Sequence, residues 1–352
     1  MSDSIQRPAQ GSLAFAAEEY ANSIPKTLHR VRSALRQTNS PRLERFIRFA
    51  LPKVFGRAGN LPRPALRALL QALLPIDPLG KQGDLPPIAV VIPFVEKDIL
   101  ALPHCVRSVL RNVRNPISTV HLVTPADRSL AAPAFQHKSS TKILETLLED
   151  HPEVDLMFDH EVLSSEALDE LRSSGAKGWD VQQLLKFGAV LMSASPATLI
   201  VDSDTVLLSR KTWFEWDGRQ LLQVANEFED RYMSLISEYF DITKSLPLSF
   251  VTHHQLMQKD IVEEMFPRGA TSLLSWWKAS LENEGSYLSE YEAYGSYLFE
   301  NYPKRVVLGT WSNLLSPRFS LFNSEIAQQE VLPESLIPDF CSISFHAHSQ
   351  VI

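Results

Sequence analysis

Cysteines and long apolar stretches are scarce in this sequence. Its two cysteines, Cys105 and Cys341, lie far apart and have no metal-ligand spacing. They therefore argue against a disulfide framework or a zinc cluster, and they favour a reducing compartment. No uninterrupted apolar stretch approaches the roughly 20 residues that span a bilayer, and the polar first residues lack the order of a secretory signal. We expect a cytoplasmic protein that is neither exported by that route nor integral to a membrane.

Several common functional motifs are also missing. The chain has no P-loop, no Gly-x-Gly-x-x-Gly fingerprint and no Gly-x-Ser-x-Gly turn. Their absence disfavours P-loop NTPases, dinucleotide-binding enzymes and α/β-hydrolases. No basic patch with interleaved aromatic residues is found after residue 84, so nucleic acid is not an expected partner.

The charge is distributed unevenly along an otherwise ordinary composition. With 44 % hydrophobic and 21 % charged residues, the chain resembles a typical folded protein. Its net charge is −7, yet residues 1–84 contain thirteen basic and six acidic side chains, so the remainder is strongly acidic. We therefore divide the chain into a basic head, residues 1–84, and an acidic body, residues 85–352, and expect them to have different partners.

The head is predicted to consist of helices separated by prolines. In residues 42–51 apolar side chains recur at helical spacing, and Arg42, Arg45 and Arg48 lie on the other face. One interpretation is a helical appendage and linker that pack on the body or on a second subunit, as an element of self-association. The other is a basic amphipathic surface that makes peripheral contact with anionic lipid at the inner face of the membrane.

In the body, strands alternate with helices. Short apolar runs predict buried strands at 88–93, 118–124, 154–158 and 197–201, with a helical segment between each strand and the next. This alternation predicts an α/β fold with a mostly parallel central sheet flanked by helices. Ligands bind such sheets beyond the carboxyl ends of the strands.

The motif with the clearest chemistry is Asp202-Ser203-Asp204, directly after the last of these strands. Its spacing lets both carboxylates approach one divalent cation, and Mg²⁺ and Mn²⁺ prefer oxygen ligands that they share with substrate phosphates. Such a cation neutralises charge on a diphosphate leaving group. The alternative is a strand-end turn capped by aspartates.

Three segments together resemble a family of bacterial glycosyltransferase-like proteins with the GT-A fold. They are residues 91–98 near the start of the sheet, residues 178–186 on the helix before the motif, and Asp202-Ser203-Asp204. The resemblance covers about residues 88–348 and leaves the head uncovered. It implies a GT-A-like, Rossmann-like domain that transfers a sugar from a nucleotide-sugar donor, expected to be UDP-linked, using Mn²⁺ or Mg²⁺. A glycan or lipid-linked acceptor, as in polysaccharide biosynthesis, is the implied partner.

The resemblance also implies roles for residues around the donor. Phe94 and Asp98 would lie in the loop that embraces the base and ribose, with Asp98 as a hydrogen-bond acceptor. Gln183 and Lys186 are three residues apart on one predicted helix and so share a face. Lys186 would meet the phosphate or sugar of the donor, and the alternative is a lysine exposed on the surface. For Asp98 the alternative is a solvated helix start.

Two histidines near the chain end are candidates for a third metal ligand, which many GT-A enzymes take from this region. Strand alternation places His346 and His348 on the same face. We favour His346 as the residue that completes a site with Asp202 and Asp204. The alternative is that both are surface residues.

A carboxylate that accepts the proton of the acceptor hydroxyl is expected after the metal motif. Ser289 is predicted to be a helix N-cap with Glu292 at the third helical position, and this capping box would explain Glu292 without catalysis. Glu290 is then the freer candidate for the general base, although an acid at a helix start is also stabilising by itself. Glu292 is the second candidate.

A histidine pair follows a strand-like segment at 248–251. His253 and His254 are interpreted as contacts to the donor or acceptor sugar, and we assign His254 to donor binding. The pair lacks a third ligand for a metal site of its own.

Two other functions compete with glycosyl transfer. A phosphatase of the haloacid dehalogenase type also places Asp-x-Asp after an apolar strand, with Asp202 as the nucleophile and Asp204 as the acid. However, that motif normally opens its domain, whereas several strands and helices precede it here. The second alternative is a non-catalytic binding protein that retains the GT-A shape.

Overall fold

The computed structural model describes the body and a few residues before it. The described residues are 84–127, 132–225, 229–244, 248–283, 287–315 and 340–345, together with Leu74, Pro78, Leu79 and Leu246. The predictions for the helices of the head and for His346 and His348 therefore lie outside the described residues.

The strands are numbered along the chain. They are β1 Ile88–Pro93, β2 Ile117–Thr124, β3 Ala126–Asp127, β4 Ala132–Pro133, β5 Val154–Phe158, β6 Ala197–Val201, β7 Thr205–Leu207, β8 Gln220–Val224, β9 His254–Gln258, β10 Val306–Thr310, β11 Asn313–Leu315 and β12 Ser342–Ser344. The helices are α1 Leu102–Asn112, α2 Lys138–Asp150, α3 Asp159–Val162, α4 Ser165–Ser173, α5 Gly178–Met192, α6 Asp230–Phe240, α7 Lys259–Met265, α8 Ala270–Glu282 and α9 Glu290–Asn301. Within the described segments, none of these helices is both long and apolar enough to cross a membrane.

A five-stranded sheet in the order β5-β2-β1-β6-β9 forms the centre of the molecule. β1, β2, β5 and β6 are parallel, and β9 pairs with β6 in the antiparallel direction. β1 and β6 are buried along their whole length, as expected for strands covered on both faces. The predicted α/β fold with a mostly parallel sheet is thus confirmed.

Helices cover both faces of this sheet. Val91 and Ile200 pack into an apolar cluster with side chains of α5, α8 and α9. Val90 and Ile92 pack into a second cluster with side chains of α1 and α2. Because successive residues of a strand point to opposite faces, the apolar runs of the sequence supply both layers.

The order of the strands reverses beside β1. From β1 the chain moves to β2 and β5 on one side, and then returns to place β6 on the other side. The connections after β1 and β6 therefore diverge, which opens a crevice at the carboxyl ends of these two strands. Asp202 is the first residue after β6, so it lies at this crevice.

The sequence placed one strand wrongly. A strand was expected at 248–251, but β9 begins at His254. The backbone N–H of Phe250 donates to a carboxylate oxygen of Glu292 at 2.9 Å. The segment makes one isolated antiparallel bridge, in which the N–H of Ser249 donates to the carbonyl of Ala225 at 3.1 Å, and otherwise runs as a loop against α9.

That loop approaches α9 so closely that only glycine fits at position 295. A Cβ atom on Gly295 would lie 2.5 Å from Cβ and Cγ of the Phe250 side chain, whereas one on Gly178 of α5 would meet nothing within 4 Å. We expect Gly295→Ala to destabilise the protein by about 1–3 kcal/mol through overpacking, and Gly178→Ala to be neutral or slightly stabilising. Urea unfolding of both variants measures the difference; equal midpoints would show that the loop yields without cost.

Candidate active site

The Asp202-Ser203-Asp204 segment forms a tight turn at the end of β6. The carbonyl oxygen of Asp202 accepts from the N–H of Thr205 at 2.9 Å, and the N–H of Asp202 donates to the carbonyl of His253 at 2.9 Å. Ser203 is buried, whereas Asp202 and Asp204 are partly exposed. The turn therefore presents its two carboxylates and withdraws the serine, as their spacing predicts.

The carboxylate of Asp202 is a hub of hydrogen bonds. Its Oδ1 accepts from Nζ of Lys186 at 2.6 Å and from the hydroxyl of Tyr291 at 2.9 Å. Its Oδ2 lies 3.3 Å from Nδ1 of His253. Lys186 also forms an ion pair with Glu290. Asp202 is thus fixed by side chains from α5, α9 and the loop before β9.

Burial and charge act in opposite directions on these groups. Burial by itself lowers the pKa of Lys186, but the attraction of Asp202 and Glu290 outweighs it and raises that pKa to about 12. Burial opposes ionisation of Asp202, yet Lys186 and His253 hold its pKa well below the usual range. Burial, offset in part by Lys186, raises the pKa of Glu290. Lys186 is therefore a permanent cation that keeps Asp202 ionised.

Gln183 and Lys186 share a face of α5, as predicted, and that face meets the start of α9. The side-chain oxygen of Gln183 accepts from the N–H of Glu290 at 3.3 Å. The Lys186 side chain is only 3 % exposed, so it is not the surface lysine that the sequence also allowed.

The first turn of α9 organises the site from one side. Ser289 is the N-cap, as predicted, with its Oγ accepting from the N–H of Glu292 at 3.3 Å. Glu292 does not complete a capping box with its side chain. Instead, its carboxylate accepts from Ser249 Oγ at 3.0 Å, from the N–H of Phe250 at 2.9 Å and from Lys244.

Glu290 thus holds Lys186, and Tyr291 holds Asp202. Glu292 holds the loop at 249–250. The two glutamates are each 2 % exposed. In this arrangement they position other groups of the site, and their assignment as catalytic carboxylates stays a prediction.

His253 has a backbone conformation that is unusual for its residue type. Its φ of 60° lies in the left-handed region, which costs a residue with a side chain free energy and is frequent at functional sites. The ring lies between Asp202 and the indole of Trp311, whose centroid is 5.5 Å away. The residue that faces the Asp202 carboxylate is therefore His253.

His254 is the first residue of β9, and its side chain lies on the face of that strand that packs into the core. It shares that face with Leu256, which belongs to the cluster of α1 and α2. Its ring packs edge-on against Trp213 at 5.3 Å, and burial, with Lys211 nearby, lowers its pKa to about 3. Its predicted contact with the donor stays untested, and its surroundings are those of a neutral core histidine.

The loop after β1 forms the other wall of the crevice. Phe94 is 2 % exposed and packs edge-on against Phe135. Asp98 is also buried, at the end of a short 3-10 turn. Between them, Glu96 accepts from the N–H groups of Gln136 and His137 at 2.8 Å each. The loop is therefore anchored at its base, and contacts of Phe94 and Asp98 with a nucleotide stay predictions.

The last described strand, β12, reaches the Asp202-Ser203-Asp204 turn. β12 pairs with β7 in the antiparallel direction, and the N–H of Phe345 donates to the carbonyl of Asp204 at 2.9 Å. The described chain ends here, one residue before His346.

Two residues of the site, Tyr291 and Lys244, were not singled out by the sequence. Tyr291 stands between two glutamates that were. His253 was interpreted together with His254 as a contact to a sugar, but the role in donor binding was assigned to His254. Lys244 carried no signal. Its short distance to Glu292 results from a contact between segments 48 residues apart.

Comparisons with known proteins find only distant structural similarity. No protein-family model matches the sequence, and no curated protein matches it. Mouse xyloside xylosyltransferase 1 aligns with a TM-score of 0.40 and 10 % identity over 76 % of this chain and 100 % of that one. The galactosyltransferase LgtC, solved with donor and acceptor sugar analogues, aligns with a TM-score of 0.39 and 8 % identity over 75 % of this chain and 88 % of that one. The bifunctional glycosyltransferase WbbM aligns with a TM-score of 0.36 and 11 % identity over 77 % of this chain and 47 % of that one. At this distance the activity has to be argued from the site.

The ion pairs of Lys186 generate a prediction about stability. Lys186→Met leaves Asp202 and Glu290 buried without their cation, and breaking a buried pair costs about 3–5 kcal/mol. In the double variant Lys186→Met/Glu290→Gln one of those charges is gone. The loss in free energy of unfolding of the double variant, measured in urea, should therefore be at least about 1 kcal/mol smaller than the sum of the losses of the two single variants.

Glu292→Gln supplies the matched control, because Glu292 pairs with Lys244 and not with Lys186. It should lower stability by itself, but its effect should add to that of Lys186→Met. If the effects of Lys186→Met and Glu290→Gln on the free energy of unfolding simply add, the proposed ion network is contradicted.

His254 generates a prediction about pH. Its pKa in the folded protein is about 3, below the ordinary value of 6.5, so the unfolded chain binds the extra proton between these values. The stability that depends on neutral His254 is complete above pH 6.5 and is lost as pH falls toward 3, by roughly 1 kcal/mol per pH unit. His254→Phe should flatten the pH dependence of unfolding in this range. An unchanged slope would show that the pKa of His254 is the same in the folded and the unfolded protein.

Proposed function

We propose that this protein is a metal-dependent glycosyltransferase. It transfers a sugar from a nucleotide-sugar donor, expected to be UDP-linked, to a glycan or lipid-linked acceptor. The observation that carries the proposal is the position of Asp202 and Asp204 at the carboxyl end of β6, beside the end of β1 where the strand order reverses. In open α/β sheets this is the place where phosphate-containing ligands bind.

The charges of the site favour a cation there. Asp202, Asp204 and Glu290 are three carboxylates, and Lys186 supplies one positive charge to two of them. The two aspartates therefore bring an excess of negative charge to a partly exposed edge, whereas Glu290 is buried. A divalent cation would balance that excess and would link the edge to the phosphates of a donor.

Both aspartates of the motif are placed to serve a metal. Asp202 and Asp204 are partly exposed on one turn, and both oxygens of Asp202 also accept from protein groups. No group of three or more metal-ligating side chains occurs in the part of the chain that the structure describes. Mg²⁺ commonly binds through one or two carboxylates, with waters and substrate phosphates as its other ligands, and Asp204 with Asp202 beside it fits that arrangement.

His346 remains the proposed third protein ligand. Support comes from the bond between the N–H of Phe345 and the carbonyl of Asp204, which brings the chain to the motif one residue before His346. When bound, the metal would neutralise charge on the diphosphate as the sugar leaves.

The side chains of this protein would supply orientation. Lys186 and Tyr291 hold Oδ1 of Asp202, so the turn keeps one geometry while the donor binds. His253 is 15 % exposed at the side-chain level, so it can contact a ligand that lies over Asp202. Preorganised groups of this kind avoid the cost of rearrangement during the reaction.

Replacement of Asp204 tests the proposal. Asp204→Asn keeps the shape of the side chain but removes its charge, so nucleotide binding should lose most of its dependence on Mn²⁺. Calorimetry with UDP, with Mn²⁺ and with EDTA, measures this. Asp241→Asn is the matched control, because Asp241 is an exposed residue with φ 50° where asparagine fits equally well.

Other outcomes distinguish the competing functions. UDP affinity that is the same with and without metal in the unmodified protein would contradict the metal site. A phosphoenzyme on Asp202 would identify a phosphatase. Nucleotide-sugar binding without transfer or hydrolysis of the sugar would identify a binding protein. If His346 is a ligand, His346→Ala should weaken metal-dependent binding and His348→Ala should weaken it less.

A further inference from the structure

Three buried polar atoms around the start of β12 have no hydrogen-bond partner among the described residues. They are Nε1 of Trp311, Nδ2 of Asn313 and Oε1 of Gln223. Buried polar groups in folded proteins nearly always have partners, supplied by protein, water or a ligand. Three such atoms in neighbouring residues therefore point to a missing partner.

The three side chains lie on or beside residues 310–313, the segment that leads into β11. The amide nitrogen of Gln223 donates to the carbonyl of Thr310 at 3.1 Å, the residue before Trp311. Trp311 packs with Cys341, directly before β12. Asn313 uses its oxygen to accept from Ser342 at 2.7 Å, which leaves its nitrogen atom as the unpartnered end.

This cluster adjoins Asp202 and Asp204. The ring of Trp311 lies 5.5 Å from that of His253, and Nδ1 of His253 lies 3.3 Å from Asp202. On the other side, Ser344 of β12 precedes Phe345, whose N–H is bonded to the carbonyl of Asp204. The cluster is therefore one side chain away from the proposed phosphate site.

The chemistry of the three atoms defines the ligand. Trp311 and Asn313 offer donors, and Gln223 offers an acceptor. Gln223 presents an acceptor and an ionised phosphate offers only acceptors, so the set as a whole does not suit a phosphate. A hydroxyl both donates and accepts, so the hydroxyl groups of a sugar match both kinds of unpartnered atom.

We propose that Trp311, Asn313 and Gln223 form the subsite for the sugar ring of the donor. The inference rests on the proposed function, since the ring that is bonded to the diphosphate lies next to the metal motif. Other unpartnered indoles lack this setting: Trp276 lies in an apolar cluster with α5 and α8. The selectivity for the donor sugar then depends on Gln223 of β8, on Trp311 and on Asn313 of β11.

Two conservative variants test the subsite. Trp311→Phe keeps an aromatic ring against His253 but removes the N–H, and Asn313→Asp keeps the oxygen that accepts from Ser342 but removes the donor. Calorimetry with Mn²⁺ compares UDP with UDP-glucose, UDP-galactose and UDP-N-acetylglucosamine. The ratio of the Kd for UDP to the Kd for the best-bound sugar nucleotide measures the contribution of the sugar.

We expect each variant to reduce that ratio about fivefold to tenfold, the size of one lost hydrogen bond, and to leave the affinity for UDP unchanged. Trp276→Phe is the matched control, because it removes another unpartnered buried indole N–H. It should alter the melting temperature only. If Trp311→Phe does not fold, the nearly isosteric Asn313→Asp carries the test.

The failures of the two proposals are distinguishable. UDP binding with an unchanged sugar contribution in both variants overturns the subsite and leaves the proposed function standing. The same holds if no sugar nucleotide binds the unmodified protein more tightly than UDP. If neither UDP nor any sugar nucleotide binds the unmodified protein, the proposed function is wrong and the subsite is wrong with it.

Discussion

The buried ammonium of Lys186 is the constraint on which the site depends. A lysine that is 3 % exposed is stable as a cation only if anionic partners offset the loss of hydration. Asp202 and Glu290 provide that compensation, and they come from the end of β6 and the start of α9. The ion network therefore fixes three segments, α5, the turn after β6 and α9, in one arrangement.

Other contacts of α9 extend this arrangement to the loop before β9. Glu292 takes the N–H of Phe250, and the absence of a side chain at Gly295 lets the same loop lie directly on the helix. The loop then delivers His253 to Asp202 in a left-handed conformation. Strain at one residue is tolerated because the surrounding contacts determine its position.

The proposed function depends on the difference between the two sides of Asp202. On one side of Asp202, Lys186 and Tyr291 fix the carboxylate and have little access to solvent. On the other side lie Asp204, the end of β12 and the atoms of Trp311 and Asn313 that have no hydrogen-bond partner in the described part of the chain. The first side is built for rigidity, and the second has the unmet hydrogen-bonding capacity that a ligand needs.

The sequence by itself determined strands of the central sheet and the place of the motif. Apolar runs of strand length fix β1, β5 and β6 with their observed bounds, and local chemistry identifies Ser289 as an N-cap, because strand alternation and capping depend on residues close in the chain. Only the tertiary structure decided the partners. Lys186 and Glu290 are 104 residues apart, and the choice between His253 and His254 depends on where β9 begins. That start is set by the pairing of His254 with Val201 of β6, a contact between distant segments that no local pattern encodes.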